Sequence, residues 1–211
     1  MSTPSKAKAR QSLLSCRPRS RAAAKEASRD ALIAAALALF SEKGLDASLD
    51  ELCARAGYTR GAFYVHFKDR DELIAAVMER VGRASLDALL ADAPAQGLDA
   101  IMRRFTQSLA GGAHPVSKGG MRPYQLLDAC ARSPAIRAGY VALVEDAMGR
   151  LTETLQRNQR NGSVRDDVDP RHVATLLEAL VIGLETLHDV EAPVDLEACA
   201  DALQTLLRRP G

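Results

Sequence analysis

Tryptophan is absent from this 211-residue chain, tyrosine and phenylalanine occur four times each, and the four cysteines are scattered. With so few aromatics, the core has to come from leucine, isoleucine, valine and alanine. Cys16, Cys53, Cys130 and Cys199 make no C-x-x-C pair and no dense framework of the secreted kind, so four reduced thiols in a cytoplasmic chain are expected. Long apolar runs are missing too: the longest, Ala31 to Phe40, is half of the roughly 20 residues a membrane span requires. No membrane partner is expected.

Catalytic and cofactor signatures are equally lacking. The chain has no G-x-S-x-G elbow, no Walker loop and no G-x-G-x-x-G turn, which removes the minimal parts of a hydrolase, a nucleotide triphosphatase and a dinucleotide enzyme. A di-iron bundle needs paired Glu-x-x-His motifs, and one occurs, Glu185 to His188. The expectation is a protein with no catalytic residue, no metal and no cofactor.

Charge is present, and its distribution is uneven. The formal total is only +1, from 28 basic and 27 acidic side chains, yet residues 1–80 hold 14 basic against 10 acidic groups. The excess lies at the N-terminus, where Lys6, Lys8, Arg10, Arg17, Arg19, Arg21, Lys25 and Arg29 face only Glu26 and Asp30. That stretch lacks the apolar segment of a secretory signal, though its Ser, Ala and Arg bias superficially resembles an organellar transit peptide. Residues 1–26 are read as a flexible basic arm, either a solvated tail or one that meets phosphates.

From Ala27 onward apolar residues recur at three and four spacings, with no sustained alternation, which predicts an all-α fold. The first helix should run to Lys43, burying Leu32, Ala35, Ala36, Leu39 and Phe40, and stop at Gly44. Ser48 and Glu51 form a capping box opening a short helix, Leu49 to Ala56, which ends at Gly57. A third helix is expected over Thr59 to Val65, and a fourth, opened by Asp69 and Glu72, closes an N-terminal domain of residues 27–82. Residues 83–211 are expected to form a second domain. In it a helical stretch from Leu86 to Ala91 stops near Pro94, a helix runs from Leu98 to Ala110, and Gly111 to Pro123 reads as a mobile loop. Helix resumes at Tyr124, with longer helices expected at 134–160 and 170–189 behind Ser133-Pro134 and Asp169-Pro170, and a last one at 196–208.

The helix from Pro170 is apolar on more than one side: Val173, Leu176, Leu177, Leu180, Leu184 and Leu187 make a stripe beside Ala174, Val181, Ile182 and Gly183. Such a helix needs two partners, which predicts a homodimer through helices 170–189 and 196–208.

The sharpest segment is Leu49 to Leu73, L-D-E-L-C-A-R-A-G-Y-T-R-G-A-F-Y-V-H-F-K-D-R-D-E-L. Two short helices meeting at a glycine are the helix-turn-helix arrangement, whose second helix enters the DNA major groove. Arg60 has the fork that pairs with guanine, Thr59 can reach a base or phosphate, Gly61 permits close approach, and Tyr64 falls one turn after Arg60. Phe63 and Phe67 are expected to pack inward.

These residues resemble the TetR-type bacterial transcriptional regulators over residues 29–81. Leu32, Ile33, Ala35, Ala36, Leu37, Leu39, Phe40 and Gly44 are similar to that family's first-helix signature, and Ala56, Gly57, Thr59, Arg60, Gly61, Tyr64, His66 and Phe67 to its recognition-helix signature. The resemblance implies DNA-binding heads on a helical dimer, repressing nearby genes until a small molecule enters the C-terminal domain. It further implies DNA contacts from Thr59, Arg60, Gly61, Tyr64 and His66, with Ser48 on a phosphate and Lys68 beside them. Arg70 stands where many members carry a backbone-contacting lysine and is expected to keep that DNA contact, and the link from Gly44 to Leu52 is one residue shorter than in many members.

The function expected is therefore a sequence-specific, cytoplasmic DNA-binding regulator, a homodimeric repressor on double-stranded palindromic operator DNA, with recognition helices about 34–36 Å apart or a multiple of that. Its small hydrophobic effector is expected among the helices of residues 98–188, near Met102, Phe105, Tyr124, Leu127, Tyr140, Val144 and Met148. The competing expectation is a small helical ligand-binding protein or enzyme whose N-terminal bundle is structural.

Overall fold

In the computed structural model the described residues are 20–90, 93–110 and 121–209. All their regular structure is helical. The N-terminal head comprises α1 (Arg21–Lys43), a 3-10 turn (Gly44–Asp46), α2 (Leu49–Ala56), α3 (Arg60–Tyr64) and the first half of α4 (Arg70–Leu90). The body adds α5 (Ala93–Ala110), α6 (Pro123–Arg132), α7 (Pro134–Arg160), α8 (Pro170–Asp189) and α9 (Leu196–Leu207).

The helix ends follow from their caps. Ser48 accepts a hydrogen bond from the Glu51 amide while the Glu51 carboxylate accepts from the Ser48 amide, completing the expected capping box. The Ser133, Asp169 and Asp195 side chains cap α7, α8 and α9, and the first two are followed by proline at the first helical position.

Three boundaries differ from the sequence expectation. Helix α1 begins at Arg21, because Ser20 caps it and the alanines that follow are strong helix formers, so residues 21–26 of the proposed arm are helical. Residues 1–19, the rest of the arm, lie outside the described residues, as do 111–120 of the expected loop. The second difference is that α4 runs unbroken through Gly82, joining what reads in the sequence as two helices. Gly82 is buried, and a Cβ there would stand 2.2 Å from Leu143 Cδ2 on α7. The cost of a helical glycine is offset by this close approach. The third is α5, which starts at Ala93 but carries Gly97 in a non-helical conformation (φ 73°, ψ 178°), so regular helix resumes at Leu98 as expected.

Helix α4 belongs to both halves. Leu73, Ile74 and Val77 pack with Leu32, Ile33, Phe40, Leu52, Phe63 and Phe67 of the head, and that core continues into Met121, Leu126, Cys130 and Ile136 at α6 and α7. A second core gathers Leu98, Met102 and Phe105 of α5, Leu151 and Leu155 of α7, Leu177 and Leu184 of α8 and Leu207 of α9. Head and body thus meet along a shared helix with no linker between them.

Candidate nucleic-acid interface and body cavity

Gly57 ends α2 in the left-handed region (φ 72°, ψ 27°), a conformation costly to any residue with a Cβ, and this turns the chain sharply into α3. Thr59 then caps α3, its hydroxyl oxygen accepting from the Ala62 amide at 3.2 Å. The cap leaves the Thr59 hydroxyl hydrogen available to a partner. Phe63 and Phe67 are fully buried with ring centroids 5.5 Å apart, and the Arg29 guanidinium lies over the Phe67 ring at 5.2 Å. These anchors fix the rotation of a helix of only five residues.

On the opposite side Thr59, Arg60, Gly61 and Tyr64 are exposed together, with Ser48 exposed at the start of α2 and Lys68 exposed before α4. A Cβ on Gly61 would meet nothing nearer than Thr59 Oγ1 at 3.8 Å, so internal packing does not demand glycine there. Val65, 62% exposed, adds an apolar group beside Tyr64 that sequence reading did not single out. Struts hold α2 to α1: Arg55 donates to both Glu42 oxygens, and Lys43 pairs with Glu51. Those partners draw Glu51 down to about 2, Lys43 contributing most and the Ser48 cap next.

Two residues expected on this surface have other geometry. His66 faces α1, its Nε2 2.7 Å from Ser28 Oγ and its Nδ1 buried without a partner among the described residues. The reason is that α3 stops at Tyr64, and the following turn, with the His66 amide donating to Phe63 O, rotates the ring away from the exposed side. Burial, then the charges of Lys25 and Arg29, hold the imidazole below its ordinary range, so it is neutral at pH 7. Arg70 is half-buried, and its Nε donates to Ala47 O at 3.1 Å, tying α4 to the entrance of α2. Its side chain is a strut between head helices. Sequence spacing gives no sign of the Ser28 contact, because 38 residues separate the partners.

In the body, a cavity of about 130 Å³ lies between α4, α5, α7 and α8. Of the residues expected to form it, Met102, Phe105, Tyr140 and Val144 do. Tyr124 and Leu127 do not: they are 44% and 45% exposed, because α6 buries Pro123, Leu126, Ala129 and Cys130 and these two fall on its outer side. Met148 is outside the lining as well, its Sδ lying 3.7 Å from Thr175 Oγ1. The cavity also has two residues that were missed, Glu178 and Glu185 of α8. Their signal was visible: two carboxylates seven residues apart that flank the apolar run Ala179 to Leu184.

The sequence profile of bacterial regulatory proteins of the tetR family matches residues 32–77, from the buried turns of α1 to the second turn of α4. The head of this chain carries the TetR-family domain. The HTH-type transcriptional repressor Rv1474c of Mycobacterium tuberculosis is 27% identical over 173 residues, 81% of this chain and 87% of that protein. SmeT, the repressor of the Stenotrophomonas maltophilia multidrug efflux pump SmeDEF, has a TM-score of 0.66 at 29% identity, covering 89% of this chain and 93% of its own. SmeT has also been solved as a complex with triclosan. Reduced NemR of Escherichia coli has a TM-score of 0.72 at 21% identity, covering 87% of this chain and all of its own, and attests to the fold.

With its TetR-type head, this chain is thus a DNA-binding transcriptional regulator with a helix-turn-helix head and a helical body. Among its described residues no group of three His, Cys, Asp or Glu side chains gathers as metal ligands would, and no helix is long and apolar enough to cross a membrane. Cys53 and Cys130 are buried, and burial pushes both thiols up, away from the reactive thiolate.

Proposed function

We propose that this regulator is a cytoplasmic, non-enzymatic homodimeric repressor that reads a palindromic operator with α3 of each copy and is released by a small molecule bound in the α4–α8 cavity. The observation that carries the reading is the exposed cluster of Thr59, Arg60, Gly61 and Tyr64 on a helix pinned from behind by Phe63 and Phe67. A short helix rigidly held with its polar end outward is what entry into a major groove requires. Arg60 reads a guanine, Thr59, Tyr64 and Ser48 meet phosphates, and Lys68 adds charge at the edge of the contact.

Pairing of two copies is supported by α8. Leu176 and Leu187 are exposed about three turns apart on α8, with Val190 exposed just past its end, and Leu176 is 70% exposed in the single chain. Leu206 of α9 is 66% exposed. Burying that seam against its own copy makes a four-helix interface about a two-fold axis. Repression and effector release are supported by the names of the relatives, two of them repressors and one complexed with triclosan. An effector acts by favouring the head spacing that does not match the operator, a coupling of about 1–3 kcal/mol.

Selection of bound sequences from random duplex DNA, followed by footprinting, tests the reading. A few short palindromes with half-sites one helical turn or a multiple apart are expected. Uniform recovery of unrelated sequences would show a low-specificity binder instead. Deleting residues 1–19 is expected to lower the salt dependence of binding to every duplex, since the arm supplies lysines and arginines to phosphates.

A further inference from the structure

The cavity in the body is not a plain hydrophobic hole. Met102 and Phe105 of α5, with leucines of α4 and α7, form its apolar wall, and α8 sets Glu178 and Glu185 into the facing side, two turns apart. Among the described lining residues there is no lysine, arginine or histidine. Ser85 donates its hydroxyl to Val81 O at 2.9 Å, which leaves the Tyr140 hydroxyl as the remaining neutral polar group of the side chains there. Among the described residues no cation pairs with Glu178, and the charge nearest in effect is the like-signed Glu185.

A carboxylate set in an apolar wall without a counter-charge is costly, and the ligand that relieves the cost is selected by sign. An anion meets the like charge of Glu178. A neutral apolar molecule fills the space but strips Glu178 of its remaining water. A cation with an apolar body satisfies wall and carboxylate together. We propose that the cavity takes a small lipophilic cation, a single-ring or similarly compact body bearing a quaternary or protonated amine, its apolar part against Met102 and Phe105 and its charge beside Glu178. This rests on the reading of the cavity as the effector site. A space of about 130 Å³ accommodates one ring without major rearrangement.

The titration of the site agrees. Burial, and then Glu185, raise Glu178 to about 7, and burial, then Glu178 and Glu185, raise Tyr140 to about 12. Glu185 on α8 and Tyr140 on α7 are the titratable groups facing Glu178 among the described residues, with Ser85 of α4 the neutral polar one. At pH 7 Glu178 therefore carries a proton for part of the time, and a cation placed beside the carboxylate drives it off.

Calorimetry on the full chain at pH 7 tests this with three probes of similar size: benzyltrimethylammonium, neutral N,N-dimethylbenzamide and anionic 3-phenylpropanoate. The cation is expected to bind about tenfold or more tightly than either other probe. Comparison of two buffers with different ionisation enthalpies should show net proton release on binding of the cation. Glu178→Gln is expected to lose both the preference and the proton release while keeping its binding of the neutral probe, which reports an intact cavity. Glu178→Asp, which keeps the charge, should restore the preference.

Equal or tighter binding of the neutral or anionic probe, no binding of the cation, or a cation affinity unchanged by Glu178→Gln overturns the proposal. An operator-release assay separates it from the reading beneath it. Glu178-dependent cation binding that leaves DNA bound upholds the ligand class and removes the release mechanism. Release by the neutral probe with no binding of the cation does the reverse.

Discussion

Arg60 and Asp50 are joined by a two-pronged ion pair, Nε on Oδ1 at 2.5 Å and Nη2 on Oδ2 at 2.7 Å, which ties the first residue of α3 to the second of α2. The carboxylate occupies the side-on edge of the guanidinium. The end-on edge, Nη1 with the second N–H of Nη2, is left for another acceptor, and that is an edge able to pair with guanine O6 and N7. Both side chains are mostly exposed, so the pair adds little stability; what it supplies is orientation.

Arg60→Ala is expected to cost about 1–3 kcal/mol of operator binding. Asp50→Ala should act differently, raising affinity for unrelated duplexes by removing a negative charge near phosphates while blunting discrimination for the operator. Fluorescence anisotropy on operator and scrambled duplexes reads the ratio directly. A ratio that Asp50→Ala leaves intact would mean that the pair does not orient the arginine on DNA.

His66 is expected to matter to the fold of the head more than to sequence choice. Ser28→Ala leaves Nε2 without its partner and should destabilise by about 1–3 kcal/mol. Because the folded imidazole sits below its ordinary value of 6.5, the unfolded chain binds its proton first on acidification, so this site's contribution is present above about pH 6.5 and lost as pH falls below it. Thermal scans of wild type and His66→Ala across that range check the sign. His66→Ala should recover the wild-type operator from random DNA, and a changed operator would put the ring back at the DNA.

Leu176 and Leu187 carry the dimer prediction. An arginine at both positions places like charges across the proposed two-fold seam and should give a folded monomer in sedimentation runs, with operator affinity lost because one head cannot span two half-sites. A double variant that sediments as a dimer would place the interface elsewhere.

Gly82→Ala tests the crossing of α4 and α7. The added methyl meets Leu143 Cδ2 at 2.2 Å and Cδ1 at 2.7 Å, so the helices must part or the leucine must turn into the adjoining cavity. A loss of about 1–3 kcal/mol is expected from overpacking, against the gain of helix propensity that alanine brings at an open site. Calorimetric melting decides between the two signs. Leu143→Ala in the same chain should recover part of the loss.

The head was largely legible because its signals are local. The capping box at Ser48 and Glu51, the left-handed glycine at position 57, the cap at Thr59 and the inward Phe63 and Phe67 each depend on neighbours within a few residues. The same holds for the helices that open at Pro134 and Pro170. What failed was the phase of residues past a helix end, as at His66, and a side assigned from residue type alone, as at Tyr124 and Leu127.

The order of residues by itself determined the helical fold, a helix-turn-helix head with its outward polar cluster, and an α8 apolar on more than one side, since periodicity and capping act over one or two turns. Tertiary structure decided the rest: that α4 passes Gly82 unbroken against Leu143, that Asp50 holds Arg60, that Ser28 takes His66, and that Glu178 and Glu185 face a cavity built by other helices. The first three contacts join positions 10 to 61 residues apart, and the cavity needs several helices, so only the packing of whole helices sets which side chains meet.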